Sequence, residues 1–203
     1  MISTSANQVV GLVSTIPTVS FTEALAASPD GRFLFVAGAT DDDSELLILS
    51  QSNYALEQEV AIPNKSIGYN PFLLIVSPDS STLYIFVYSP SEDSNELVAY
   101  SVASGTFSPA IGLKGGSLTS ALSPDGTELY YVSSHTIWAV NTSTFSQSTV
   151  ESPVKPVGVA VTPDNSQLIV TSTGDSIGVV DLANTANSSS IPVGAGTGAI
   201  LLN

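Results

Sequence analysis

"LSPDGTELYYV", residues 122–132, joins an apolar end, a Ser-Pro-Asp-Gly corner and a run of aromatic and β-branched residues. Pro fixes φ for the first corner, Asp accepts hydrogen bonds from its own backbone, and Gly takes the positive φ that closes the turn. The phrase returns as "ASPDGRFLFVA" (27–37), "VSPDSSTLYIFV" (76–87) and "VTPDNSQLIVT" (161–171). Counted from Ser28, Ser77, Ser123 and Thr162, the spacings are 49, 46 and 39 residues. A period of about 40–50 residues marks propeller blades or solenoid repeats.

Each copy reads as strand, turn, strand. An apolar run precedes every turn ("EALAA", "PFLLIV", "LTSAL", "VGVAV") and a β-prone run follows it ("FLFVA", "LYIFVY", "LYYV", "LIVT"). A third strand comes after a polar loop ("ELLILS", "ELVAYS", "TIWAVN", "SIGVVDL"), and a more polar fourth segment ends the unit ("LEQEVAIP", "FSPAIGL", "FSQSTVES", "NSSSIPVG"). Four strands with the most polar one outermost is the pattern of a β-propeller blade. No stretch of a dozen residues keeps helical apolar spacing without Pro or Gly. The expected fold is therefore all-β: one propeller domain over residues 1–203 with four antiparallel blades at about 18–62, 67–113, 117–151 and 156–194. Partial strands are expected at 7–17 and 195–203. Three ways of completing the ring stay open: a fragment of a larger, for example seven-bladed, propeller; four blades closing alone; or two chains together through open blade edges.

Composition narrows the partners. Eighteen acids stand against four bases, giving a formal net charge of −14. Nucleic acid and anionic membrane surfaces need clustered Lys and Arg and are excluded as partners. No apolar run approaches the ~18 residues of a membrane span, so membrane insertion is not expected. "MISTSANQVVG" has neither the basic nor the apolar region of a signal peptide. With no cysteine, disulfides, thiolate metal sites and cysteine nucleophiles are excluded. Asn64, Asn141 and Asn187 sit in N-x-S/T triplets, a frequent chance pattern in a Ser/Thr-rich chain.

Residues 162–202 resemble the YVTN-type propeller repeat in Thr162-Pro163-Asp164, "LIVTS", "SIGVVDL" and "IPVG". "SPDGRFLFVAG" (28–38) is similar to the lactonase-type seven-bladed propellers. The resemblance implies a bacterial or archaeal protein, extracellular or in the cell envelope, with a binding role toward protein or polysaccharide. The first two blades depart from it by longer acidic loops and by lacking the "VTN" and "VID" pieces. Lactonase-type propellers place charged and His residues at the channel mouth, whereas this chain offers one Arg (Arg32) and one His (His135). No catalytic residue is carried over.

Several motifs look chemical and read better as structure. "GDSIG" (174–178) fits a nucleophile elbow, but that Ser must sit between a strand and a helix, and "SIGVVDL" is a strand. Gly174–Ser176 is then the hairpin between second and third strands. "GAGTGA" (194–199) has dinucleotide-loop spacing without a helix to open. The acidic tips "DDDSE" (41–45) and "SEDSNE" (91–96) occupy equivalent places in blades 1 and 2. Asp41, Asp43, Glu92 and Asp93 are the candidate ligands for weak Ca²⁺ binding, though neither run has EF-hand spacing. No other cofactor is expected. His135 and Tyr88 are candidate ligand-face residues, and Trp138 with the other strand tyrosines is expected in the core. The function expected from repeats without chemistry is a non-catalytic binding or scaffold module. The alternative is part of a lactonase-type hydrolase whose site needs further blades.

Overall fold

The computed structural model describes residues 2–3, 8–9, 20–39, 43–63, 70–90, 93–115 and 117–194. Four antiparallel sheets follow one another along the chain. After a short ladder of β1 (Ile2–Ser3) and β2 (Gln8–Val9), blade 1 is β3 (Phe21–Ala27), β4 (Phe33–Ala39), β5 (Ser44–Ser50) and β6 (Leu56–Ala61). Blade 2 is β7 (Asn70–Val76), β8 (Thr82–Ser89), β9 (Ser94–Ser101) and an outer strand broken into β10 (Thr106–Phe107) and β11 (Ile111–Gly112). Blade 3 is β12 (Ser117–Leu122), β13 (Glu128–Ser133), β14 (Thr136–Asn141) and β15 (Gln147–Val150). Blade 4 is β16 (Pro156–Val161), β17 (Gln167–Ser172), β18 (Ser176–Asp181) and β19 (Ser189–Pro192).

Three details differ from the sequence reading. Of the partial strand expected at 7–17, the described part, Gln8–Val9, pairs with Ile2–Ser3 rather than with a blade. Blade 2's outer strand splits at Ser108–Ala110, where Pro109 has no N–H to give to β9. A single 3₁₀ turn, Thr185–Asn187, interrupts the approach to β19, and Asn184 caps it by accepting a hydrogen bond from the Ala186 N–H. The expected strand at 195–203 lies outside the described residues.

The repeated turn is one hydrogen-bond cycle built four times. In blade 3 the Ser123 N–H donates to the Glu128 carbonyl at 2.8 Å and the Gly126 N–H to the Ser123 carbonyl at 2.8 Å. The Ser123 hydroxyl donates to Asp125 Oδ1 at 2.6 Å and accepts from the Glu128 N–H at 2.9 Å. Asp125 Oδ1 also accepts from the Thr127 N–H at 3.0 Å. Ser28–Asp30, Ser77–Asp79 and Thr162–Asp164 repeat the 2.6 Å bond. The last corner needs left-handed backbone: Gly31 and Gly126 hold φ +74°, and Ser80 and Asn165 take φ 62° and 58° in the same place. Ser80 has a further use, because its hydroxyl accepts from the Asp30 N–H at 3.0 Å and ties the first turn to the second.

Blades pack in sequence order. Phe35, Ile48, Ile62, Ile85 and Tyr100 belong to a core between blades 1 and 2. Phe86, Leu97, Leu129 and Tyr131 belong to one between blades 2 and 3, and Val132, Ile137, Leu168 and Val180 to one between blades 3 and 4. Trp138 packs against the second of these, its ring stacked on Tyr131 with centroids 6.3 Å apart. Tyr131 is fully buried, yet its hydroxyl is paired on both sides. It donates to Gln147 Oε1 at 2.8 Å and accepts from the Lys114 N–H at 3.0 Å, and Gln147 Nε2 donates to the Gly112 carbonyl at 2.9 Å. The network locks blade 2's outer edge onto blade 3. Tyr131→Phe keeps the packing and removes both bonds, so a loss of about 1 kcal/mol in unfolding free energy is expected by urea titration. No loss would mean that water takes over both partners.

Candidate functional site

Inner strands converge on a central cleft of about 450 Å³. Pro29, Pro78 and Pro124 of the first three turns line it, with Ile75, Leu122 and Val161 from the strands of blades 2 to 4. The rest of its described lining is Ser, Ala and Val, and among the described residues no Asp, Glu, Lys, Arg, His or Tyr lines it. Acid–base and nucleophilic chemistry both need a titratable or activated group at the reacting atom. The described lining of the cleft is thus suited to apolar or neutral surface.

One polar atom in this lining is out of place. Ser120 Oγ is buried and has no hydrogen-bond partner. Ser120 stands three residues before its turn Ser, where blade 2 has Leu74 and blade 4 has Val159. Burying an unpaired hydroxyl costs about 1–3 kcal/mol in protein mutants. Ser120→Val, matching Val159, is thus expected to raise the melting midpoint by a few degrees, roughly 2–4 °C for each kcal/mol regained. A drop would show that the hydroxyl meets a partner after all.

Beside the cleft, a smaller depression of about 180 Å³ lies between the turns of blades 2 and 3 and contains Asp79, Asp125 and Tyr84. The Ser77 hydroxyl, then the Ser81 N–H and hydroxyl, hold the Asp79 carboxyl below the usual range. The Ser123 hydroxyl and the Thr127 N–H and hydroxyl do the same for Asp125. Burial pushes the Tyr84 phenol up. A carboxylate held this way stays ionised near neutral pH and is a weakened base, so the pair is ill suited to acid–base work.

The described candidates Asp43, Asp93, His135 and Tyr88 lie in the hairpins of second and third strands, at the opposite end of each blade from the Ser-Pro-Asp turns. Asp41 and Glu92 fall outside the described residues. Asp43 immediately precedes β5, and Asp93 sits in the β8–β9 hairpin with φ 47°. The Tyr88 hydroxyl donates to Asp93 Oδ1 at 2.7 Å, which raises the Tyr88 pKa and occupies one of the two Asp93 oxygens. Among the described residues no three metal-ligating side chains come together. His135 closes the β13–β14 hairpin, with Ser134 and His135 both left-handed at φ 49° and 61°. Its Nδ1 lies 3.2 Å from the Pro156 carbonyl; a carbonyl only accepts, so Nδ1 carries the proton and Nε2 is the free nitrogen. Arg32 is 68% exposed, its guanidinium 4.7 Å from the Phe33 ring centre and 4.0 Å from Asp30. Among the described residues nothing brings Arg32, His135 and a carboxylate to one point.

The nucleophile-elbow look-alike resolves as a hairpin. Ser172 Oγ donates to the Ser176 carbonyl at 2.6 Å and accepts from the Gly174 N–H at 3.2 Å, closing the hairpin that contains "GDSIG". The stretch from residue 195 onward lies outside the described residues. Asn141 uses its side chain fully: Nδ2 donates to Glu128 Oε1 at 3.0 Å and Oδ1 gathers bonds from Ser143 and Thr144. No helix of the described residues is long and apolar enough to cross a membrane.

The same arrangement occurs in solved structures. Hydrazine synthase of Kuenenia stuttgartiensis aligns over 90% of this chain and 53% of its own, with TM-score 0.63 and 19% identity. A candidate 6-phosphogluconolactonase from Bacteroides uniformis aligns over 85% of this chain and 55% of its own, with TM-score 0.58 and 21% identity. A protein of unknown function from Desulfotomaculum acetoxidans aligns over 90% and 59%, with TM-score 0.66 and 16% identity. The chain is a partial β-propeller. It spans just over half the length of these structures, and identities this low speak for the fold alone. No protein-family model and no curated protein matches it.

Proposed function

We propose that this partial propeller is a non-catalytic binding or scaffold module that works outside the cell or in its envelope, with blades of the YVTN type. One observation carries the reading: among the described residues, the cleft to which all four blades contribute has no titratable side chain in its lining. The acidic composition adds to it, since a net charge of −14 discourages anionic partners and leaves protein or polysaccharide surfaces as the ligands of choice. The test offers the 203-residue chain a panel of lactones and, separately, soluble glycans and envelope proteins. The expected result is no turnover and saturable binding by calorimetry. Hydrolysis that disappears on His135→Ala would overturn it.

A second reading has one specific support, the likeness to the Bacteroides uniformis protein. In it, this chain is part of a lactonase-type hydrolase whose active site is completed by further blades. Turnover would then require additional blades, and His135, with Nε2 free, is the one described imidazole available to serve it. A calcium role would draw on Asp41, Asp43, Glu92 and Asp93, and an unchanged melting midpoint in millimolar Ca²⁺ would remove it.

A further inference from the structure

Asn141 and Asn187 head the two N-x-S/T triplets that fall on described residues, and the fold treats them differently. Both lie where the third strand of a blade passes to its outer strand. Each triplet has Ser in its third place, Ser143 and Ser189, so sequence alone does not separate them. Asn64, which heads the other triplet, lies outside the described residues.

Asn141 is a turn residue. It ends β14, opposite Glu128, and its Oδ1 accepts from the Ser143 and Thr144 N–H groups at 3.2 and 3.0 Å and from both of their hydroxyls. Its Nδ2 donates to Glu128 Oε1 at 3.0 Å. In blade 4 the matching place, the end of β18 opposite Gln167, belongs to Asp181. Asp181 Oδ1 accepts from the Ala183 and Asn184 N–H groups at 2.9 and 3.1 Å. Such a turn needs only an acceptor oxygen, and Asn and Asp serve it alike. Folding therefore accounts for Asn141, whose nitrogen and whose Ser143 hydroxyl are both engaged.

Asn187 has no such duty. The blade 4 connection, residues 182–188, is longer than its counterparts at 51–55, 102–105 and 142–146, and the added length holds the 3₁₀ turn Thr185–Asn187. That turn buries none of its residues. Asn187 and Ser189 are exposed, and among the described residues neither side chain makes a hydrogen bond. The turn is closed by the Asn187 N–H on the Asn184 carbonyl at 2.9 Å and the Ser188 N–H on the Thr185 carbonyl at 3.1 Å, so few bonds must open to extend it.

We propose that Asn187 is the acceptor of an N-linked glycan. The inference rests on the proposed location outside the cell or in its envelope, since such glycans are attached to exported chains and stand on surface loops. Asn187 Nδ2 attacks the anomeric carbon of a sugar carried on a polyprenyl diphosphate. The new C–N bond replaces the C–O bond to the diphosphate, which leaves with the electron pair, and Nδ2 gives up a proton. The place suits a bulky group. In blade 4 it is β16 that lines the cleft, so a glycan on the outer connection leaves the cleft open. It would stand beside β19, an edge strand exposed along its whole length, with Ile191 47% exposed and Val193 just beyond it 50% exposed. Sugar there covers an apolar edge that otherwise invites pairing with another chain.

Cleavage after acidic residues separates the two sites, Asn141 in fragment 129–151 and Asn187 in fragment 182–203. Mass spectrometry of these fragments, on protein from fractionated cells that make it, is the test. The expected result is a chain outside the cytoplasm with one glycan mass added to 182–203 and none to 129–151. The purified folded chain, given an oligosaccharyltransferase and a lipid-linked oligosaccharide, should show the same choice. Asn187→Gln should abolish the added mass and leave the far-UV spectrum unchanged. An exported chain bare at Asn187 overturns the inference and leaves the location standing. A chain confined to the cytoplasm overturns the location and the glycan together. Added mass on 129–151 instead of 182–203 overturns the choice of site.

Discussion

Ser123→Ala lowers the unfolding free energy by about 2 kcal/mol and the melting midpoint by roughly 4–8 °C. The figure follows from what the hydroxyl does. Ser123 is 3% exposed, and one oxygen donates to Asp125 Oδ1 and accepts from the Glu128 N–H. Alanine leaves the Glu128 N–H without an acceptor at the first residue of β13, where the main chain must still enter the ladder. It also releases Asp125, which then holds only the Thr127 N–H and hydroxyl. A buried group stripped of its partner costs about 1–3 kcal/mol, and here that group is the Glu128 N–H, while the exposed Asp125 carboxylate turns to water. Asp125→Asn separates the contributions. Its amide oxygen still accepts from Ser123 and Thr127 but carries no charge, so its loss should be about half as large. A Ser123→Ala effect below about 0.5 kcal/mol in urea unfolding would sink the account, because water would then be replacing the bonds. Substitution of Ser77, equally enclosed at 6% exposure, should match it and add to it.

These turns were the legible part of the chain. The Ser-Pro-Asp phrase fixes a local geometry whatever surrounds it, so four copies located four strand pairs, and the third and fourth strands followed from alternation. What could not be read depends on blade meeting blade. Ser80 looks like an ordinary replacement for Gly at the turn, yet its hydroxyl receives the Asp30 N–H from the neighbouring blade. Tyr131 reads as a core aromatic, and only packing reveals that Lys114 and Gln147 hold its hydroxyl. The cleft is legible in no single segment, since three turn prolines and residues from three more strands define it together. Its polar oddity, Ser120, becomes visible only when aligned with Leu74 and Val159. The sequence candidates Asp43, Asp93, His135 and Tyr88 sit on hairpins at the far end of the blades, because acidic and polar residues collect wherever a hairpin meets solvent.

Stability should rise slightly as pH falls from 7 toward the isoelectric region near 4.1, then fall steeply below it. Two effects of opposite sign produce this shape. At neutral pH the chain carries a net charge of −14, and its self-repulsion eases as exposed carboxylates take up protons. The turn carboxylates protonate last. The Ser28 hydroxyl and the Arg32 N–H hold Asp30 below the ordinary value, Ser77 leads for Asp79, Ser123 for Asp125, and the Thr162 and Ser166 hydroxyls bring Asp164 down to about 2. Unfolded, all four titrate near about 3.9. Between about 3.9 and about 2 the unfolded chain therefore binds more protons than the folded one, and each further drop in pH favours unfolding. The stability that the four turns contribute is complete above the unfolded value and is lost as pH passes down through the folded ones. Salt distinguishes the two limbs: repulsion among exposed charges is screened within about 10 Å at 0.1 M ionic strength, whereas the bonds at 2.6 Å are not. Melting curves from pH 7 to 2 at low and high salt should show the rising limb flatten and the falling limb persist. Asn at positions 30, 79, 125 and 164 together should make the acid limb much shallower at the expense of a lower midpoint at pH 7. An acid limb equally steep in that variant would place the acid lability elsewhere in the molecule.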